Sequence, residues 1–332
     1  MTPNRRLEIL CPAGTPAGLR AAVKAGADSV YLGFRNETNA RNFPGLNFDY
    51  AELRAGVEHA HNRGVKVYVA INTYPRAGEP GPWHRAVDDA ARAGADAVIL
   101  ADIGLLDYAR RTHPELDRHL SVQASAASAA AIAFYRERFA VTRVILPRVL
   151  TLDQVTRLTR AVEVETEVFV FGGLCVMAEG RCTLSSYVTG ESPNKNGVCS
   201  PASAVRYEED GDGTLCSRLG GFTINRFVPG EPAGYPTLCK GRFYARGEAR
   251  YLFEDPTSLN AIAILPRLVD AGVSAVKIEG RQRGRAYVAQ VVAAVRAAVD
   301  AVADGQPPDP AALAVLSEGG RETVGVYRKG WR

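Results

Sequence analysis

The sequence predicts an α/β fold, a (β/α)8 barrel of the TIM type, and three observations carry that expectation. Short apolar runs alternate with alanine-rich amphipathic stretches along most of the 332 residues. The first seven runs begin 21 to 36 residues apart, the repeat of a strand–helix unit in a parallel sheet. The runs number eight, the count that closes a barrel.

The first run, EILC (8–11), leads into TPAGLRAAVKAGA, a helix with Thr15 as N-cap and Pro16 in its first turn. SVYLG (29–33), VKVYVAI (65–71), AVILA (97–101), LSVQA (120–124), RVILP (143–147) and EVFVF (167–171) follow as strands two to seven. AVKIE (275–279) is the eighth. PWHRAVDDAARAGA supplies a helix between the third and fourth. A weak internal echo links AVKAGADSVYLG (22–33), AARAGADAVILA (90–101) and LVDAGVSAVKIEG (268–280). In each, a glycine (Gly26, Gly94 or Gly272) stands where an αβ turn uses a left-handed residue.

Residues 172–256 break this rhythm with Gly-, Pro- and Ser-rich stretches such as GESPNKNGVCSPAS. A structureless loop of that length is uncommon inside one domain. The expectation is therefore a single barrel-like domain over 1–332, with 172–256 as an embedded insertion of small strands and turns that something must pin, a metal centre being one candidate.

Composition narrows the function classes. Apolar residues are 46% and charged residues 23% of the chain, the balance of a globular protein. Forty basic against 36 acidic residues give +4, too small an excess to argue for nucleic acid. No uninterrupted apolar run approaches the ~18 residues of a spanning helix, and the N-terminus lacks a secretory pattern, so a cytoplasmic location is expected. Six cysteines are too few for a disulfide scaffold. No G-x-G-x-x-G loop follows the first strand and no phosphate loop occurs, which leaves NAD and ATP unsupported.

Four of the cysteines gather in or after the insertion's start: Cys175, Cys182, Cys199 and Cys239, spaced C-x6-C-x16-C-x39-C. The spacing matches neither a paired zinc knuckle nor a compact ferredoxin run, and four thiolates suit zinc or a four-iron cluster. Cys11 reads as a packed apolar residue and Cys216 as a spare thiol in a hairpin. The five histidines, His59, His61, His84, His113 and His119, form no H-E-x-x-H motif and read as surface or packing residues. At the C-terminal ends of the strands, where barrels place their sites, stand Asn72, Asp102, Gln123 and Glu279. Arg281, Arg283 and Arg285 follow, able to grip a carboxylate, and Arg41 and Asn42 of the second βα loop are candidates to line the pocket, with a pairing of Arg41 with Glu37 as the alternative.

The segment EVFVFGGLCVMAEGRCTLSSY resembles the signature of the collagenase-like peptidase family through Glu167, Phe169, Gly172, Cys175, Gly180, Cys182 and Ser185. Gly173 departs from it, since many members have Ser or Ala there. LCPAG, AVKAGADSVYLG and AVKIEGRQRGRAYV are also similar to stretches of that family, so the resemblance spans about residues 7–300. Within the family, the length and four-cysteine arrangement most resemble the members of oxygen-independent ubiquinone biosynthesis. That resemblance implies one [4Fe–4S] cluster on Cys175, Cys182, Cys199 and Cys239. It further implies a heterodimer with a UbiV-like paralogous cluster protein, a UbiT-like lipid-binding accessory protein, and ring hydroxylation without O2, prephenate being the proposed oxygen donor. Glu279, Arg281, Arg41, Asn72 and Gln123 are the candidate substrate-binding residues. A collagenase-like peptidase, an RNA-base hydroxylase and a scaffold folded by its cluster are the rival readings.

Overall fold

The computed structural model describes residues 6–175, 182–193, 198–255, 257–317 and 321–328. Seven parallel strands pair in chain order: β1 (Glu8–Pro12), β2 (Ser29–Leu32), β3 (Lys66–Ile71), β4 (Ala97–Leu100), β5 (Asp117–Leu120), β6 (Arg143–Ile145) and β7 (Glu165–Gly173). The insertion then supplies an antiparallel sheet of β8 (Val205–Glu209), β9 (Leu215–Leu219) and β10 (Phe222–Phe227), and a hairpin of β11 (Arg242–Ala245) and β12 (Glu248–Tyr251). Next, β13 (Ser258–Asn260) runs antiparallel along the upper end of β7. Finally β14 (Ala275–Ile278) pairs in parallel with both β1 and β7 and closes the eight-stranded barrel. A short β15 (Glu322–Thr323) flanks β13.

The outer layer consists of α1 (Pro16–Lys24), α2 (Tyr50–His61), α3 (Gly81–Arg92), α4 (Ile103–Thr112), α5 (Ala129–Phe139) and α6 (Leu152–Ala161). After α7 (Thr183–Thr189) in the insertion come α8 (Leu265–Ala271) and α9 (Arg285–Ala303). Thr15 caps α1 as its sequence predicts, its Oγ1 accepting from Gly18 N at 3.0 Å. Gly26, Gly94 and Gly272 take φ of +101°, +81° and +89°, the left-handed turns the echo implies. By length and composition α9 is apolar enough to cross a membrane, yet it buries Val288, Val291, Val292, Val295 and Val299 and packs on α1 and β1.

Strand alternation divides each stave between two cores. Val30, Val98, Val144, Val168 and Val276 are buried on the helix-facing side, each contributing about 1.5–3 kcal/mol relative to exposure. Their neighbours point into the barrel and position the site.

The expected runs coincide with strands except the fifth. Val122–Ala124 of LSVQA is a 3-10 turn, and the strand is DRHL, residues 117–120. Apolar patterning misses it because Arg118 and His119 are polar and nevertheless buried. Arg118 is satisfied by carbonyls, its Nε reaching Phe139 O at 3.0 Å and its Nη1 reaching Leu116 O at 2.5 Å.

Candidate active site and thiol cluster

The barrel interior carries charge at two depths. Near the N-terminal ends of the strands, Arg143 (β6) is held from several sides. Its Nη2 lies 2.6 Å from Glu8 Oε2 and 2.6 Å from Glu165 Oε2, and its Nη1 lies 3.5 Å from Glu167 Oε2. Glu8 also accepts from Ser29 Oγ at 2.6 Å and Tyr68 Oη at 2.9 Å. Burial pushes the Glu8 carboxyl up, but the hydrogen bonds and charge of Arg143, helped by Ser29 and Tyr68, outweigh it and bring it to about 2. His119 stands edge-on to Tyr68 at 4.6 Å, and burial holds its imidazole well below its ordinary value. It is a neutral packing residue.

Above this layer lies a cavity of about 710 Å³, within the range of small-molecule sites. Strand residues Tyr31, Ala70, Ile99, Ile145, Phe169 and Lys277 line its inner end, and Asn72, Gln123, Glu279, Arg281 and Arg283 rise beyond the strand ends. Arg41 reaches it from the second βα loop. Glu279 and Arg281 sit two and four residues past Lys277, as strand alternation requires for side chains on one face.

Five sequence-predicted residues, Glu279, Arg281, Arg41, Asn72 and Gln123, thus share one cavity. Glu279 Oε2 accepts from Gly173 N at 3.2 Å, and its Oε1 lies 3.7 Å from Arg41 Nε. Burial raises that carboxyl, and Arg41, Arg148 and the Gly173 N–H bring it below the ordinary range. Arg41 therefore makes an ion pair with Glu279 across the cavity, a partner the local reading with Glu37 did not foresee. Arg281 is buried, donates to Asn39 Oδ1 at 3.2 Å, and is lowered to about 10 by burial. Asn72 Oδ1 accepts from Ala40 N at 3.0 Å. Gln123 Oε1 is buried without a hydrogen-bond partner among the described residues.

Two strand-end candidates fall elsewhere. Asp102 is the N-cap of α4, its Oδ1 accepting from Leu105 N at 3.0 Å, and Arg285 is exposed at the start of α9. A short acidic side chain before a helix is a cap first. Two glycines permit the close approaches around these residues. A Cβ on Gly14 would lie 1.8 Å from Arg281 O, and one on Gly172, whose φ is +115°, would lie 2.6 Å from Glu279 O.

Cys175, Cys182, Cys199 and Cys239 all line this cavity at its outer side. Cys175 lies two residues beyond β7, and Cys182 is the N-cap of α7, its Sγ accepting from Ser185 N at 3.3 Å. Ser185 Oγ donates to Cys199 O, tying that cysteine to the same helix. Cys239 lies in a 3-10 turn before β11, and its O accepts from Glu254 N at 3.1 Å. Burial, then the neighbouring Cys175 and Cys199, push the Cys239 thiol up to about 12. Four thiols lining one side of a single cavity, one of them accepting an N–H···S bond, are the donor type a soft metal centre takes, and such a centre would deprotonate them. Among the described residues, no three His, Cys, Asp or Glu side chains converge as ligands of a single ion. Gly180 of the signature lies outside the described residues.

Cys11 is fully buried in the core, and Cys216 is buried in β9 with its Sγ 3.6 Å from Asp210 Oδ2. Neither lines the cavity. None of the five histidines lines it either: His61 and His113 face Asp96 and Asp88 at 2.8 Å, and His84 stacks on Tyr108. Patterning missed Lys277, Tyr31, Arg148 and Lys240 among the lining residues. Lys277 had a signal: a lysine inside AVKI, an otherwise apolar strand, is a buried charge needing a partner.

The family model described as peptidase family U32 matches residues 14–324. The chain is 34% identical over 327 residues to tRNA hydroxylation protein P of Escherichia coli (strain K12), covering 93% of this chain and 71% of that protein. It is 31% identical to the 23S rRNA 5-hydroxycytidine C2501 synthase of Escherichia coli, covering 90% of this chain and 40% of the relative. It is also 31% identical to a collagenase of Porphyromonas gingivalis, covering 90% and 66%. Among solved structures, the U32 peptidase Mk0906 aligns with a TM-score of 0.43 and 21% identity over 51% of this chain and 70% of that chain. By the match over nearly its whole length, the chain belongs to peptidase family U32.

Proposed function

We propose that the chain is a UbiU-like iron–sulfur component of oxygen-independent ring hydroxylation in ubiquinone biosynthesis, working with a UbiV-like paralogous partner. The observation that carries this reading is the meeting of four thiols and a ring-sized cavity on the C-terminal face of the barrel. Cys175, Cys182, Cys199 and Cys239 would hold one [4Fe–4S] cluster. Bound by these four residues, such a cluster would supply electron transfer.

The chain's own residues do the rest. Tyr31, Ile99, Ile145 and Phe169 offer an apolar seat for a ring and exclude water from it. Arg281, whose hydrogen-bond partner is the neutral Asn39 amide oxygen, places a positive charge beside that seat, suited to a carboxylate such as those of prephenate. Glu279 is engaged by Arg41 and Gly173, and acts as the brace between the closing strand and the turn that leads to Cys175. The insertion also exposes the apolar side chains Tyr187, Tyr244, Val228 and Phe253, individual contact points for a protein partner or a lipid carrier such as a UbiT-like protein.

A second reading, hydroxylation of an RNA base, is favoured by the relatives named for tRNA and rRNA hydroxylation. A peptidase reading rests on the family's name and on the collagenase relative. The cavity offers it no histidine to activate a cysteine.

The test begins with anaerobic purification, alone and with the partner, and quantification of iron, sulfide and zinc. The expected result is about four irons and four sulfides per chain, lost on Ala substitution of Cys175, Cys182, Cys199 or Cys239 and kept in Cys11→Ala and Cys216→Ala. Zinc in their place, or iron indifferent to these cysteines, overturns the redox reading. Anaerobic assays on a ubiquinone precursor and on RNA then separate the two substrates. Cluster loss that unfolds only the insertion while hydroxylation survives would make the centre a scaffold.

A further inference from the structure

We propose that Lys277 binds the oxygen substituent of a flat ring at the inner end of the cavity and holds that oxygen as its anion. The role rests on the ring-hydroxylation reading for its purpose, though not for the binding itself.

An ammonium has three N–H donors. One of those on Lys277 goes to Glu167 Oε1 at 2.8 Å, and another side of the group faces the Tyr31 ring, 3.9 Å from its centroid. Among the described residues the third has the cavity in front of it. The surrounding inner lining is apolar, from Ala70, Ile99, Ile145 and Phe169. A ring entering there meets hydrocarbon on its faces and one donor for its oxygen.

The charge at this end is positive on balance. Glu167 is fully buried and divided between Lys277 and Arg143, at 2.8 and 3.5 Å. Arg281 adds a second cation over the same Tyr31 ring, 5.6 Å from its centroid. Tyr31 Oη already donates to Ile278 O at 2.8 Å, so the phenol is a fixed platform rather than a proton acceptor. A buried donor set of this sign stabilises charge developing on a ligand oxygen more strongly than water does. The ligand class it selects is a phenol bound as phenolate, the more electron-rich form of the ring.

The experiment uses the anaerobically purified holoprotein and 4-nitrophenol, whose phenolate absorbs in the visible and whose phenol does not. Spectra are taken below the probe's own pKa, with the protein's absorption subtracted. Wild type is expected to raise the phenolate band on titration. The Lys277→Met/Glu167→Gln double variant removes both members of the buried pair and so leaves no orphan charge. It should bind the phenolate about ten-fold or more weakly, the loss of one charge-assisted hydrogen bond. Lys277→Arg should retain part of the band. Glu167→Gln alone should strengthen it, because the ammonium then loses its competing partner. No band in wild type, a band of neutral phenol, or an equal band in a folded double variant overturns the proposal. Absence of the band in wild type with iron content intact is a failure of Lys277's role, whereas absence of hydroxylation with the wild-type band present is a failure of the functional reading.

Discussion

The two charged layers of the barrel use the same residue types to opposite ends. In the lower layer, Arg143 is surrounded by Glu8, Glu165 and Glu167, and Glu8 is further satisfied by Ser29 and Tyr68. Every charge there is answered from within the chain. In the upper layer, buried Arg281 has a neutral amide oxygen as its hydrogen-bond partner, and Lys277 shares its carboxylate with Arg143. Charges closed on themselves specify the fold, whereas charges left with spare donors toward a cavity specify a ligand. Removing one partner of a closed buried pair is costly, and removing an open cation relieves a desolvation penalty.

That contrast breaks most visibly at Arg143. Arg143→Met leaves the largely buried Glu8 without its cation and the fully buried Glu167 to Lys277 alone, and urea unfolding should show a loss of about 3–5 kcal/mol. Wild-type stability within 1 kcal/mol would mean the lower network is ornamental. The next largest effect is a pH dependence. The folded Glu8 carboxyl stands at about 2 against an ordinary 4.5, so its stabilisation is complete above the ordinary value and is lost as pH falls from about 4.5 toward 2. Unfolding free energies of wild type and Glu8→Gln from urea titrations should differ at neutral pH by about 3 kcal/mol and converge near pH 2. Parallel curves would assign the acid sensitivity to another group.

The smallest stability effect sharpens the comparison from the other side. Arg281→Met should leave stability within about 1 kcal/mol of wild type. Asn39 Oδ1 still accepts from Arg41 N at 2.9 Å, and Glu279 keeps Arg41 and the Gly173 N–H. Binding of small carboxylates, followed by calorimetry, should fall while the unfolding midpoint holds. A loss as large as that of Arg143→Met would place Arg281 among the structural charges.

Much of this was legible before folding. Staves such as VKVYVAI and AVILA announce themselves because both faces are buried, and Asn72, Gln123 and Glu279 follow from standing just past strand ends. The fifth stave was hidden, since Arg118 finds its partners in carbonyls of neighbouring segments that no local pattern reveals. Asp102 looked equivalent to Asn72 and is a helix cap, a distinction made by the backbone that follows. The Lys277–Glu167 contact joins positions 110 residues apart and exists only because β14 lies against β7.

That late closure has a consequence for how the chain is made. The strand that seals the barrel, β14, emerges after the whole insertion, while its two neighbours, β1 and β7, are already present with free edges. Until residue 278 leaves the ribosome, the nascent protein is an unsealed curved sheet whose missing wall includes Lys277. Cys175, Cys182, Cys199 and Cys239 are all synthesised during that interval. The insertion must therefore stay out of the gap it interrupts, and assembly of the proposed metal centre would compete in time with the shutting of the barrel.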